Sequence, residues 1–134
     1  MTVRLGLTAV LLLLVALSAE AEPDDSCTTQ SSTIEINSCA DKQYRQQDKL
    51  LNRAYEAVLR VVATKNAPGV SGDSPRQLLI LSQRKWIEFR DADCKAQEKV
   101  YQDGTARTAV YLECLRDRTK QRIKELDLTE WQGG

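Results

Sequence analysis

A serine and a lysine three positions apart, in the run Ser82-Gln83-Arg84-Lys85, have the spacing that some serine acyltransferases use. In those enzymes the serine is the nucleophile, and Ser-Asp-Asn and Lys-Thr-Gly motifs complete the site. Neither of these motifs occurs in the chain. We therefore interpret the pair as part of an ordinary polar face of a helix.

A cluster of acids, Glu88, Asp91, Asp93 and Glu98, suggests glycosidase or metal chemistry. A glycosidase needs two carboxyl groups that face each other across a sugar cleft, and calcium sites of the EF-hand type draw their ligands from a loop. Acids on successive turns of one helix satisfy neither requirement. The chain also has no histidine, which excludes histidine-dependent catalysis and histidine-ligated metals. We predict no catalytic, cofactor or metal site.

The charges cancel, with 19 basic and 19 acidic residues among 134. A nucleic-acid-binding domain of this size would carry a basic excess, so no nucleic-acid partner is predicted. The basic residues do gather in one segment: Arg116, Arg118, Lys120, Arg122 and Lys124. We expect them to pair with the acidic cluster of the preceding segment.

The first 21 residues have the three-part layout of a secretory signal peptide. Arg4 is followed by a 13-residue apolar stretch, Leu5 to Leu17, and then by small residues before Ala21. As a helix this stretch would be about 20 Å long, short of the roughly 30 Å of a bilayer core. We predict cleavage after Ala21, with no membrane anchor afterwards. The product would be one exported domain, residues 22–134.

Two segments carry clear helix signals. Ser32 and Glu35 have the spacing of a capping box, and Ser74, Pro75 and Gln77 repeat this signal after a loop rich in glycine and proline. The first helix is predicted over 33–64 and the second from 75 to about 99. Helical spacing predicts which residues of each helix face the core. In the first helix they are Ile36, Ala40, Tyr44, Leu51, Tyr55, Val58 and Val62. In the second they are Leu79, Gln83, Trp86, Arg90 and Cys94. Leu78, Ile87 and Phe89 are expected to widen the second face.

A third helix is predicted after the break at Asp103-Gly104, capped by Thr105 or Thr108. Its inward positions are Leu112, Leu115, Thr119, Arg122 and Leu126. Because no segment alternates polar and apolar residues, no strand is expected. The predicted fold is all-α: a small antiparallel three-helix bundle.

Four cysteines in a small exported domain indicate two disulfides, and their spacings match no zinc site. Cys94 and Cys114 lie at similar distances on either side of the second turn, which favours a bond between them. Cys27 would then join Cys39. Three pairings are possible, and the sequence alone does not decide among them.

Several motifs, in order and spacing, resemble the LprI-type lysozyme-inhibitor family of bacterial exported proteins. They are Asn37-Ser38-Cys39-Ala40, Asp48-x-x-Leu51-Asn52-x-x-Tyr55, Leu79-x-x-x-Gln83-Arg84-x-Trp86-Ile87-x-Phe89-Arg90-Asp91-x-x-Cys94, Asp103-Gly104-Thr105 and Cys114-Leu115-x-x-x-Thr119-x-x-Arg122-x-x-x-Leu126, together with Cys27. The chain departs from the family at Asp103, where paired glycines are common, and lacks the lipid-anchor cysteine of some members.

The resemblance marks seven motif positions: Asp48, Asn52, Tyr55, Gln83, Trp86, Arg90 and Asp91. We interpret them as polar clamps between helices around Trp86, with Asp48 or Asp91 pairing with Arg90. The alternative is direct contact with a partner.

The resemblance further implies a periplasmic or secreted bacterial protein. It also implies that this protein is non-enzymatic and that it binds and inhibits a lysozyme or another muramidase. We expect the contacts to come from the loop at 65–74, with Lys65 and Asn66, from the turn at 101–107, with Arg107, or from Trp131. The alternative is an envelope interaction, stress or assembly protein without a muramidase target. Against the first interpretation, cationic animal lysozymes would be steered by an acidic surface, whereas the chain as a whole is neutral. The cluster of Glu88, Asp91 and Asp93 could supply such a surface locally. The sequence does not indicate an oligomeric state.

Overall fold

The computed structural model describes residues 27, 29–65 and 72–132. These residues form four helices and no strand: α1 (Thr33–Ala63), α2 (Pro75–Val100), α3 (Arg107–Glu125) and the short α4 (Leu128–Trp131). The predicted all-α bundle of three long antiparallel helices is confirmed, and α4 was not predicted. The predicted signal peptide, residues 1–21, and Asn66 lie outside the described residues.

The predicted capping boxes begin α1 and α2. The Ser32 hydroxyl accepts a hydrogen bond from the Glu35 amide at 3.2 Å, and the Glu35 carboxylate accepts one from the Ser32 amide at 3.0 Å. Ser74 and Gln77 make the same reciprocal pair at 3.2 and 2.7 Å. Each box satisfies amides that a helix start leaves without partners, which fixes where the helix begins.

The start of α3 differs from the prediction. Its N-cap is Ala106, which makes no side-chain cap, so the assignment of Thr105 or Thr108 as the cap was wrong. The reason is the backbone, which enters the helix through consecutive turns: the Gly104 amide donates to Tyr101 and the Arg107 amide to Gly104. Ala106 is already in the helical region, whereas a capping side chain needs an extended residue at that point.

The two ends of the bundle are stabilised differently. At the end where α1 finishes, Leu51, Val58, Val62, Leu79 and Leu126 form the larger apolar core. At the opposite end a smaller cluster surrounds Leu115 and the Cys94–Cys114 disulfide, and Cys27–Cys39 ties the lead-in to α1. Both favoured disulfide pairings are confirmed. α3 packs extensively on α1 and on α2, while α1 and α2 share a shorter contact.

The inward face of α2 is narrower than predicted. Leu79, Gln83, Arg90 and Cys94 are buried, but Leu78, Ile87 and Phe89 are exposed, so the expectation that these three widen the face was wrong. Only α1 and α3 cover α2, and both lie toward one side of it. The outer side of α2 therefore presents apolar side chains to solvent.

The chain folds back after α3. Asp127 caps α4 by accepting from the Thr129 amide at 2.9 Å. This turn returns Trp131 to the larger core, where its indole Nε1 donates to the Glu125 carbonyl at 3.3 Å. Within residues 27, 29–65 and 72–132 no helix is both long and apolar enough to cross a bilayer.

Candidate functional site

Two buried arginines enclose Trp86 at the middle of the bundle. Arg90 and Arg122 are only 6% and 9% exposed. Their guanidinium carbons lie 5.2 and 5.8 Å from the centroid of the Trp86 ring. Cations at this range are attracted to the faces of an aromatic ring, and the attraction strengthens away from water. We call these three residues, with Gln83 and Thr119, the arginine–tryptophan cluster.

Arg90 connects all three long helices. Its Nε and Nη2 both lie 2.9 Å from Asp91 Oδ1, and its Nη1 lies 3.7 Å from Asp48 Oδ1 on α1. Nη1 also donates to the Thr119 hydroxyl on α3 at 3.4 Å. Thr119 in turn donates to the Leu115 carbonyl at 2.7 Å. The rigid donor fork of arginine makes these simultaneous contacts possible.

Arg122 makes the matching contacts from α3 to α2. Its Nε donates to Gln83 Oε1 at 3.1 Å, and its Nη2 donates to the Ser82 hydroxyl at 3.3 Å. Nη1 pairs with Glu125 at 3.0 Å. The side chain of Lys85 pairs instead with Glu88 at 2.8 Å. Ser82 and Lys85 therefore have separate partners, and the nucleophile–base pair is not assembled.

The remaining motif positions support this cluster from α1. Asn52 is exposed and donates to Asp48 at 3.5 Å, while Tyr55 packs against the larger core. Tyr44, 5.6 Å from the Arg90 guanidinium, also joins the group. Burial raises the pKa of the Tyr44 phenol, although Arg90 acts in the opposite direction. Five of the seven motif positions therefore meet at one place: Asp48, Gln83, Trp86, Arg90 and Asp91.

Sequence reasoning did not assign Tyr44, Thr119 and Arg122 to this group, although all three stood among the predicted inward positions. The sequence does contain a sign of this group, because these three residues carry polar atoms on helix faces whose other members are mostly apolar. A buried polar side chain needs a hydrogen-bonding partner nearby, so such residues tend to lie together. Each described member of the cluster has such a partner within the bundle. The arrangement cross-links helices, and we assign it no catalytic role.

One of the expected pairs joins the basic segment of α3 to the acidic cluster of α2. Arg118 on α3 lies 2.7 Å from Asp93 on α2. Asp93 is also near Cys94 and Cys114, the one potential metal-binding group among the described residues. Both sulfurs are bonded to each other, so neither is available as a thiolate ligand.

The proposed contact residues lie at opposite ends of the bundle. Lys65 follows α1, its ammonium donates to the Gln132 carbonyl, and Trp131 packs nearby on the core. Arg107 begins α3 at the other end. The 19 residues of α3 separate these ends by about 28 Å, at roughly 1.5 Å per residue. The two ends therefore form two distinct surfaces.

The end that carries Arg107 presents an exposed turn, residues 100–107, which we call the α2–α3 turn. Val100 is 80% exposed and Tyr101 51% exposed. Arg107 Nε lies 3.6 Å from Glu98, which also pairs with Lys95 at 2.5 Å. The Cys94–Cys114 bond joins the two helices just behind the turn. Apolar, aromatic and cationic groups are thus displayed together on a covalently braced support.

Acidification should loosen this turn. The hydrogen bond from Lys95, followed by the charges of Lys95 and Arg107, lowers the pKa of Glu98 below its ordinary 4.5. The unfolded chain therefore binds this proton at a higher pH than the folded protein does. The stabilisation is complete above pH 4.5 and is lost as the pH falls through the folded-state pKa.

Urea titrations across pH 2–6 measure this effect through the slope of stability against pH. We expect Glu98→Gln to show a smaller loss of stability on acidification than the parent protein. Glu56→Gln, the same change at an exposed position of α1, is the matched control. Equal slopes for all three proteins would contradict the assigned role of Glu98.

Comparison with known proteins gives a consistent result. The family model described as "Lysozyme inhibitor LprI" matches residues 24–126. "Uncharacterized protein R02472" of Rhizobium meliloti (strain 1021) is 29% identical over 124 residues, 88% of each chain. "Uncharacterized protein YecT" of Escherichia coli (strain K12) is 31% identical over 99 residues, 69% of this chain and 61% of that protein. No solved structure matches the chain. From the extent of the family match, this chain belongs to the LprI lysozyme-inhibitor family.

Proposed function

We propose that this protein is an exported, non-enzymatic inhibitor of a muramidase and that it contacts the enzyme through the α2–α3 turn. Membership of a lysozyme-inhibitor family supports the activity. The observation that carries the choice of surface is the exposure of Val100 and Tyr101 beside Arg107, on a turn braced by Cys94–Cys114.

The chemistry of this turn suits a muramidase cleft. Such enzymes cleave sugars with a pair of carboxyl groups that flank the scissile bond. Arg107 can offer a carboxylate two parallel donors, and Tyr101 can supply aromatic contact area. Arginine and tyrosine are both over-represented among the residues that dominate interface energies.

The support behind the turn lowers the cost of binding. Ordering a flexible loop on association reduces affinity, whereas a segment already held in place avoids most of that loss. Here Glu98 holds Arg107 from α2, and the disulfide fixes the spacing of the two helices. A protruding, ordered turn can enter a concave site with little rearrangement.

The opposite end of the bundle is less suited to this role. The ammonium of Lys65 is engaged by the Gln132 carbonyl, and Trp131 is turned onto the core. Contact through either side chain would require these interactions to break first. We therefore assign the inhibitory contact to the α2–α3 turn.

Substitutions in the turn test this proposal. Arg107→Ala and Tyr101→Ala should each raise the inhibition constant against a susceptible muramidase by about 30-fold, equivalent to about 2 kcal/mol for a dominant interface residue. Lys65→Ala is the matched control, because it removes an exposed cation from the other end. The measurement is turnover of bacterial cell walls at increasing inhibitor concentration.

Two results would contradict the proposal. If Lys65→Ala weakened inhibition while the turn variants did not, the assigned surface would be wrong. If the purified protein inhibited none of a panel of animal and bacterial muramidases at micromolar concentrations, the activity itself would be wrong. The second result would favour an envelope interaction or assembly protein.

A further inference from the structure

The outer side of α2 carries a strip of exposed residues that includes large apolar side chains. We call it the α2 outer face, and its members are exposed: Leu78, Leu81, Lys85, Glu88, Phe89, Ala92 and Ala96. Leu78, Leu81 and Phe89 are each about half exposed. Most consecutive members of this face are three or four residues apart in the sequence, which is the spacing of residues in the interface between two packed helices.

The composition of this face changes along the helix. Leu78 and Leu81 precede the midpoint, and the small residues Ala92 and Ala96 follow it. Phe89 also follows it, and the Arg118 guanidinium carbon of α3 lies 5.8 Å from the centroid of its ring. Lys85 and Glu88 lie on either side of the midpoint, and Leu81 and Ala92 lie beyond them at equal distances. Each of these two pairs matches itself when the face is turned end for end. We propose that two copies of this protein associate through the α2 outer face with their α2 helices antiparallel.

The register follows from the charges. With the twofold axis between residues 86 and 87, Lys85 of each copy lies opposite Glu88 of the other. The same register places Leu81 opposite Ala92 of the second copy, so a large side chain meets a small one. These are the alternating layers of an antiparallel two-helix seam. Twofold symmetry forms every such contact twice, as in most homodimers.

The charges in each monomer are available for this exchange. Lys85 and Glu88 are bonded to each other at 2.8 Å, but both side chains remain about two-thirds exposed. A solvated ion pair of this kind contributes little to stability. When Lys85 and Glu88 pair with the other copy instead of with each other, each monomer therefore loses little stability. The central layer of the dimer gains two ion pairs between the copies.

The size of the face sets the expected strength. The 26 residues of α2 extend about 39 Å, and a seam about 10 Å wide would bury roughly 400 Å² on each copy. The total is below the roughly 1,200–2,000 Å² of stable interfaces and belongs to the weak, transient class. We expect a reversible dimer that forms as the protein concentration rises through the micromolar range.

Charge reversal gives a test that folding defects cannot imitate. Lys85→Glu places four acids in the central layer, and Glu88→Lys places four bases there, so each variant should be monomeric by sedimentation equilibrium. An equimolar mixture of the two variants restores both opposite-charge pairs and should form a heterodimer. Far-UV circular dichroism should show unchanged helix content.

An apolar substitution adds an independent measurement. Leu81→Asp should abolish the dimer, whereas Ile34→Asp, an equivalent change at an 81% exposed position on α1, should not. A parent protein that stays monomeric up to millimolar concentration would overturn the proposal. So would a dimer that survives both charge reversals, or charge variants that remain monomeric when mixed.

Discussion

Replacing Arg90 by alanine should lower the free energy of unfolding by about 3 kcal/mol. The substitution removes the ion pairs to Asp48 and Asp91, the bond to Thr119 and the contact with the Trp86 ring. Breaking a buried ion pair costs about 3–5 kcal/mol when the remaining charge is buried. Here both acids are 40–48% exposed and can be hydrated, so the lower limit applies.

Arg45→Ala is the control for this experiment. Arg45 also pairs with an aspartate, Asp41, at 2.6 Å, but its side chain is 71% exposed. Its removal should leave the stability almost unchanged, because a solvent-exposed ion pair contributes little. Urea unfolding followed by far-UV circular dichroism compares the two variants directly. Equal losses would show that Arg90 contributes no more than a surface charge.

Removal of the Cys94–Cys114 disulfide should be comparably damaging. The bond spans 20 residues, and the chain-entropy model assigns a loop of that size about 3 kcal/mol. This is a large share of the roughly 5–15 kcal/mol that stabilises a typical domain. The Cys94→Ala/Cys114→Ala protein should unfold about 10–20 °C below the parent in a thermal scan.

The other disulfide is the natural control. Cys27–Cys39 spans 12 residues and fastens the lead-in to the first turns of α1. The chain-entropy model assigns this shorter loop nearly the same stabilisation. Cys27→Ala/Cys39→Ala should nevertheless free only the lead-in and leave the helix contacts intact, so the melting temperature should fall less. If the two double variants had the same melting temperature, the bond between α2 and α3 would contribute no more to the stability of the bundle than Cys27–Cys39 does.

The fold was largely predictable because its determinants are local. The capping boxes at Ser32 and Ser74 and the helical spacing of buried positions define α1 and α2 without tertiary information. Even Gln83 and Arg90 were placed correctly on the inward face by spacing alone. The prediction failed where tertiary geometry decides: the turns before Ala106 remove the need for a cap, and α1 and α3 leave about half of Phe89 exposed.

The candidate site was less predictable. Sequence spacing brings Trp86, Gln83 and Arg90 onto one face, but only the packing of α3 shows that Arg122 completes the enclosure of the indole. Likewise, Lys65 and Arg107 are both cations close to a predicted helix end in the sequence. Their difference arises from position, because the fold engages the first with the Gln132 carbonyl and displays the second beside an exposed aromatic.

The unequal ends of the bundle give the molecule two separate sensitivities. Apolar association weakens on cooling, and the larger core lies at the end where α1 finishes. Disulfide bonds are not weakened by cooling, but thiols reduce them. Both disulfides lie at the other end of the bundle. Cold and reductant would therefore loosen opposite ends. The α2–α3 turn lies at the end that the disulfides stabilise. Its conformation should therefore depend on whether the surroundings are oxidising enough to keep these bonds formed.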